Sequence, residues 1–193
     1  MGFLRVINLI LMNAIQIFRP EDEIPLETVS AILKLTRQVW PPKEDAPPPN
    51  IENTLARWKE SAAFTVVLQE DNAVIAHARV FRREIKTERG TLPVGALAGV
   101  CVHPDQRGHG YGAEVVRHAF QALPELGVDV SLYQTDVPEF YEKLGARRVT
   151  NQFFDGTRAD GKRENPFWGA YEMIYPASFP WPEGEIDLNG PGY

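Results

Sequence analysis

The chain has 193 residues, with Lys+Arg 20 against Asp+Glu 26 and a formal net charge of −6. A hydrophobic content of 44% and a charged content of 24% suit one globular domain and exclude disordered, collagen-like and coiled-coil classes. The acidic balance argues against sequence-independent nucleic-acid binding, and the lone Cys101 excludes an intramolecular disulfide.

Met1 to Phe18 is apolar apart from Arg5, Asn8, Asn13 and Gln16. It is too short and too polar for a membrane span of about 20 residues. Its charged end is weak and no small-x-small cleavage site follows. We read residues 1–11 as an extension from an over-long start, with the domain running from Met12 to Tyr175 and a tail over 176–193. The alternative is an apolar cover made by Phe3, Leu4, Ile7, Ile10 and Leu11, between subunits of a homodimer. A cytoplasmic location without a membrane partner follows by default.

The elements follow in order. Ile15–Phe18 reads as a strand ended by Pro20. Leu26–Trp40 reads as a helix with Val29, Ile32, Leu33 and Thr36 on one face, stopped by Pro41-Pro42. Lys43–Pro49 is a stiff, proline-rich loop. Ile51–Ser61 is a second helix with Asn50 as its N-cap. Phe64–Leu68 is a buried strand, and Asp71-Asn72 a turn. Ala73–Ile85 alternates, with Val74, Ala76, Ala78 and Val80 on one face and Ile75, His77, Arg79 and Phe81 on the other. Gly90 closes a hairpin into the apolar strand Leu92–Val102. A helix over Ala113–Leu123, a strand over Val128–Tyr133, a short helix over Val137–Leu144 and a strand over Ala146–Val149 come next. Asn151–Asn165 reads as a polar loop, Phe167–Tyr175 as a last strand, and Pro176–Tyr193 has no periodic signal. That order defines an α+β fold with a mixed sheet. No Cys/His cluster suggests a metal.

Val100 to Gly112 reads VCVHPDQRGHGYG. A strand ends, glycines alternate, and a helix begins. Gly108, Gly110 and Gly112 permit positive φ and remove bulk. Amides at a helix start can surround an anion, aided by the helix dipole, and a pyrophosphate suits them. The spacing is neither a Walker loop nor a dinucleotide fingerprint. A ligand-free glycine turn is the plain alternative.

Arg107-x-x-Gly110-x-Gly112 resembles the coenzyme A signature of the GNAT superfamily of N-acetyltransferases. Phe140-Tyr141-Glu142-Lys143-Leu144-Gly145 resembles that family's second signature, with one helix and one strand between the two. The resemblance covers roughly Phe64 to Tyr175. It implies the GNAT fold, with a mostly antiparallel mixed sheet flanked by helices and two strands splayed apart around acetyl-coenzyme A. It further implies pantetheine pairing along Val100, Cys101 and Val102, and a pyrophosphate on Arg107, Gly108, His109, Gly110, Tyr111 and Gly112. An amine would attack the thioester directly, with Tyr141 as the acid that protonates the leaving thiolate. His109 would supply its backbone. Cys101 reads as a small buried apolar residue rather than a nucleophile.

The chain departs from this family at one chemical position. Many members carry an acid where this chain has Ala98, so the base must be another group or water. His77 is one candidate, although an ordinary half-buried histidine reads the same; Glu84 and Glu172 are weaker candidates. Gln134 stands where an Asn is common, and Gly145-Ala146 where Gly-Phe is usual. The tail loosely resembles those of aminoglycoside 2'-N-acetyltransferases and nodulation acyltransferases. That likeness places Glu185, Asp187 and the Tyr193 carboxylate on the acceptor side, where acids would hold a cationic amine; a tail that covers the sheet edge is the alternative. The expected reaction is acetyl transfer from acetyl-CoA to a small-molecule amine, without metal. Longer-chain acyl transfer and a non-catalytic CoA-binding regulatory module are the rivals.

Overall fold

The computed structural model describes residues 14–70 and 73–193. The readings on residues 1–11 and on the Asp71-Asn72 turn therefore lie outside the described residues. β1 (Ala14–Phe18), β2 (Phe64–Glu70), β3 (Ala73–Thr87) and β4 (Gly90–Val102) form an antiparallel meander. β5 (Ser131–Thr135) joins β4 in parallel, and β6 (Arg147–Val149) pairs with β8 (Tyr171–Tyr175), which pairs with β5. The result is the expected α+β fold with a mixed sheet in the order β1-β2-β3-β4-β5-β8-β6.

Local chemistry sets the helix ends. α1 (Leu26–Val39) stops at Trp40, before Pro41-Pro42 remove the next backbone donors. α2 (Ile51–Glu60) is capped by Asn50, whose side-chain oxygen accepts from Asn53 N at 2.8 Å. α3 (Tyr111–Gln121) begins at left-handed Gly110, and α4 (Pro138–Glu142) has proline in its first turn.

The sheet is covered on both faces. Val66, Ala76, Ala78, Val80 and Leu97 pack under Val115, Val116, Ala119 and Phe120 of α3. On the opposite face Ile32 and Leu35 of α1 meet Val67, Val74 and Cys101. Leu35, rather than the expected Leu33, completes the buried stripe of α1. In β3 the register slips against β2, with Leu68 opposite Ala76 and Gln69 opposite Val74. That bulge at Ile75 sends Ile75 to the α3 side and Val74 to the α1 side, the reverse of strict alternation.

The largest departure from expectation is in residues 150–193. The polar loop contains β7 (Gln152–Phe154), and the tail contains β9 (Glu185–Asp187). β9 runs parallel to β7 and pairs with β3 at Lys86↔Asp187. Strands of three residues are too short to write a period into a sequence, so composition dominates the reading there. Phe153, Ile186 and Leu188 are fully buried against Ile85, Val94, Leu132 and Ile174. Residues 176–193 thus fill a second core on the α1 side of the sheet.

Ile186→Ala should lower unfolding stability by about 2–5 kcal/mol, the usual cost of emptying a buried isoleucine site. Ending the chain after Phe179 should cost more, because Ile85 and Val94 lose their cover. Denaturant titration of both variants checks this, and an unchanged midpoint in either would show that the tail contributes nothing to folding.

Candidate active site

The site begins with a break in the sheet. β4 and β5 pair only at Gly95↔Ser131 and Ala96↔Leu132. Two further bonds hold that junction, Gly95 N to Val130 O at 2.8 Å and Ser131 Oγ to Gly95 O at 2.7 Å. Beyond it the strands separate. The cause lies in β4: His77 is opposite Cys101 but Arg79 is opposite Ala98, so Gly99 and Val100 share the place facing Ala78. Gly99 has φ +63, and a Cβ there would stand 3.1 Å from His77 Cε1. Only glycine fits this bulge, and bulges bend the strand that carries them.

Between the separated strands is a cavity of about 990 Å³. That lies within the range of small-molecule sites, roughly 300–1,000 Å³. One wall is Leu97 to Val102, so Val100, Cys101 and Val102 all line it. The other carries Tyr133, Gln134, Asp136, Phe140 and Tyr141. Arg107 and Gly112 stand at one end, where α3 starts.

The glycine loop is shaped for close approach. A turn of 3-10 helix (Pro104–Gln106) precedes Arg107, with His103 Nδ1 accepting from Asp105 N at 3.3 Å. Gly108 and Gly110 both have φ +85, and a Cβ on either would meet nothing within 4 Å. The space over these backbones is open, and the start of a helix directs amides and a positive dipole end outward. Gly112 is tight instead: a Cβ would stand 3.3 Å from Val102 Cγ2. His109 Nδ1 lies 3.2 Å from Gln106 O, and its ring stacks on Tyr111 at 5.6 Å, so its side chain braces the loop. Gly108, His109, Gly110 and Tyr111 stand outside the cavity wall, on the approach to it.

Tyr141 is buried in the wall, with its ring centroid 4.7 Å from that of Tyr133 and 4.8 Å from that of Phe140. Burial pushes its hydroxyl above the ordinary tyrosine range, so it is protonated at neutral pH. Tyr133 is pushed up too, by burial first and by Tyr141 second, and its buried hydroxyl has no hydrogen-bond partner among the described residues. Burial pushes the Cys101 thiol up to about 12, so it stays a thiol.

His77 does not line the cavity. Its Nδ1 lies 2.7 Å from Gly99 O. A carbonyl only accepts, so Nδ1 carries the proton and Nε2 presents a lone pair, unpartnered among the described residues. Burial lowers its pKa to about 4, against the Gly99 bond, with the charge of Arg79 adding to the lowering. It is a neutral histidine packed on Trp58 at 6.1 Å, one layer behind Gly99.

The acceptor-side expectations divide. Tyr193 lines the cavity, and its backbone oxygen accepts from Gln134 Nε2 at 2.8 Å. Asp187 is not brought to the cavity. Its carboxylate accepts from Gly156 N at 2.8 Å and Asn189 N at 2.7 Å, with Lys86 Nζ at 3.6 Å, because β9 must fasten the tail to the β7 loop. Glu185 pairs with Arg163 at 2.5 Å, Glu84 pairs with Arg82, and Glu172 accepts from Asn165 at 2.7 Å. None of these three lines the cavity.

Sequence reasoning missed Asp136, the one acidic side chain in the cavity wall among the described residues. One of its oxygens accepts from Ala170 N at 2.9 Å. It also missed the part Gln134 plays: Oε1 accepts from Trp168 N at 2.7 Å and Gly169 N at 2.5 Å, so one side chain holds both the Trp168 loop and Tyr193. Trp40, Val137 and Trp168 line the cavity although they are 53%, 56% and 76% exposed. Large apolar side chains left uncovered around one cleft were the missed signal.

A split sheet with a glycine-rich helix start at the end of the opening and a buried tyrosine in its wall is the arrangement that the sequence resemblance implied. Residues 22–149, more than half of the chain, match the family described as "Acetyltransferase (GNAT) domain", and the chain belongs to that family of acetyltransferase enzymes. No curated protein sequence matches the chain. Among solved structures, it is similar to a GNAT family N-acetyltransferase from Escherichia coli in complex with CoA. That match has 16% identity and a TM-score of 0.62, covering 93% of this chain and 91% of that one. An acetyltransferase from Trypanosoma brucei matches at 22% identity and TM-score 0.54, covering 71% and 95%. A GCN5-related N-acetyltransferase from Kribbella flavida matches at 16% identity and TM-score 0.55, covering 70% of this chain, which spans 33% of that protein's length. Among the described residues no helix is long and apolar enough to cross a membrane, and no group of three or more His, Cys, Asp or Glu is placed to hold a metal ion.

His77 gives a signed pH dependence. Its folded pKa is about 4 against an ordinary 6.5. Between those values the unfolded chain binds a proton that the folded chain does not, so stability falls as pH falls from 6.5 towards 4, by roughly 3 kcal/mol in full. Urea titrations of wild type and His77→Leu at pH 7 and pH 5 should show a smaller loss in the variant. Equal losses would show that His77 is not held neutral.

Proposed function

We propose that the enzyme moves an acetyl group from acetyl-coenzyme A to a primary amine of a small molecule by direct attack, with Tyr141 as general acid. One observation carries the reading: a single cavity joins the glycine-rich start of α3 to a buried, protonated tyrosine. The chain fits the donor. The open backbone over Gly108 and Gly110, with Arg107 beside it, suits a pyrophosphate. The unpaired edge of β4 from Leu97 to Val102 suits the amide-bearing pantetheine arm as an extra strand. The E. coli relative named above was solved with CoA, which agrees with this donor.

The thioester supplies the activated acyl group. The acceptor must arrive as a free amine, and Asp136 is the carboxylate available to take its proton, directly or through water. Ala98 offers nothing for that task, and His77 is walled off behind Gly99. Tyr141 then gives its proton to the departing thiolate, which its raised pKa permits because the hydroxyl is still protonated at neutral pH. Longer-chain acyl transfer is a second reading, favoured by the apolar Trp40, Val137 and Trp168 around the cavity. Rates with acetyl-CoA and octanoyl-CoA separate the two. The cytoplasmic location expected from the sequence remains part of this reading.

Two variants test the donor side. Tyr141→Phe keeps the ring and removes the proton; kcat should fall roughly 10²-fold with acetyl-CoA affinity little changed. A wild-type rate would remove Tyr141 from the chemistry. Gly110→Asp puts a negative side chain on the anion approach at a positive-φ site. Calorimetry should show acetyl-CoA binding lost, with a stability cost of about 1–2 kcal/mol from the backbone strain. Unchanged affinity would move the pyrophosphate elsewhere.

A further inference from the structure

The α1-facing side of β3 carries an uncompensated positive charge beside the cavity. His77, Arg79, Phe81 and Arg83 alternate along it. Arg79 stands directly opposite Ala98, and Ala98 lines the cavity. Opposed residues on one face of an antiparallel pair have Cβ atoms about 5 Å apart, so Arg79 stands one strand behind the cavity wall, next to the bare methyl group of Ala98, without itself lining the cavity.

Its guanidinium is 5.1 Å from the centroid of the Trp58 ring and 5.6 Å from that of Phe81. These cation–π contacts hold the group in place but satisfy none of its five N–H donors. Arg79 makes no hydrogen bond and no ion pair among the described residues. Its surroundings add to the imbalance. Burial lowers its pKa to about 10 and the charge of Arg57 on α2 adds to that, yet it stays protonated at neutral pH. Arg83 is otherwise engaged, with Nη1 donating to Pro191 O at 2.7 Å and its guanidinium over the rings of Phe81 and Tyr193. The nearby acids are engaged as well: Asp187 and Glu185 as described, and Asp155 by the amide and hydroxyl of Thr157 at 2.9 and 2.6 Å. The acidic side chains of the tail, Glu185 and Asp187, are therefore engaged away from the cavity, and of the tail's expected acceptor-side groups only Tyr193 lines it.

We propose that Arg79 receives a carboxylate of the acceptor, so that the amine acetylated is an amino acid or a similar amino carboxylate with an apolar side chain. This rests on the acetyl-transfer reading of the same cavity. A guanidinium held between two rings keeps a planar fork, which matches a planar carboxylate with two parallel hydrogen bonds. Asp136 on the opposite wall complements the ammonium end, and Trp40 and Trp168 provide apolar surface for the side chain. The two charges of the acceptor then meet opposite charges on β3 and just past the end of β5, which fixes its direction in the cleft.

The test is steady-state acetyl transfer to matched amines: tryptophan against tryptamine, phenylalanine against phenethylamine, and phosphoethanolamine against ethanolamine. Wild type, Arg79→Met and Arg79→Lys are compared, with acetyl-CoA affinity measured by calorimetry on each. In wild type the carboxylate-bearing member of the first two pairs should have a kcat/KM at least tenfold higher. Arg79→Met should bring that ratio near one through KM, and Arg79→Lys should keep part of it, with acetyl-CoA affinity unchanged in both. A wild-type ratio at or below one, or a ratio retained by Arg79→Met, overturns the proposal. So does a preference confined to phosphoethanolamine, which would make the recognised group a phosphate, or turnover of no carboxylate-bearing amine while acetyl-CoA binds. If wild type does not bind acetyl-CoA, the transfer reading itself fails and this proposal with it.

Discussion

The conformation of Gly99 is the constraint on which the rest of the molecule depends. Its positive φ inserts one extra residue into β4, and that residue turns the strand away from β5. The parallel pairing with β5 stops at Gly95 and Ala96, short of the bulge, and the cavity opens beyond it. The same bulge points Gly99 O at His77, and the ring of His77 fills the space a side chain at 99 would need. A buried neutral histidine is thus the inner support of an opening that it does not itself reach.

The opening is held from the other side by Gln134. A split sheet leaves donors and acceptors on two strand edges, and a loop crossing it has few backbone partners of its own. One amide side chain supplies three hydrogen bonds there, to Trp168, Gly169 and Tyr193. Both segments it grips are anchored in the second core, through Phe167 and through Ile186 and Leu188. The shape of that side of the opening is therefore a property of packing distant from it.

Much of this was legible in the sequence where a single physical rule dominates. Strands long enough to alternate, helices with an Asn50 cap or a proline stop, and glycines spaced around a helix start all announce themselves locally. The cavity-lining residues between Val100 and Gly112, with Tyr141, are legible for the same reason: they belong to contiguous runs. The wall at Gln134 and Trp168 is not, because it is assembled from residues far apart in the chain. Nothing near Asp136 marks it as the acid of the wall, and nothing near Asp187 marks it as a clasp for backbone amides. Charge along a tail says that acids exist but not what they already hold. The bulge at Ile75 shows the same limit on a smaller scale, since an alternating pattern does not reveal where alternation skips.

The division between contiguous and assembled parts has an evolutionary meaning. The end of the cavity at the glycine loop draws on residues 97–141, while part of the opposite wall hangs on residues 150–193 and is gripped at one point by Gln134. On the proposed reading, substitutions in that later segment can remodel which amine is admitted while the loop, the bulge and Tyr141 stay as they are. The two short strands β7 and β9 make such drift tolerable, since they keep the segment seated whatever the loops between them become. A lineage carrying this arrangement can change its diet of acceptors by altering the tail and its loop, without reinventing the chemistry.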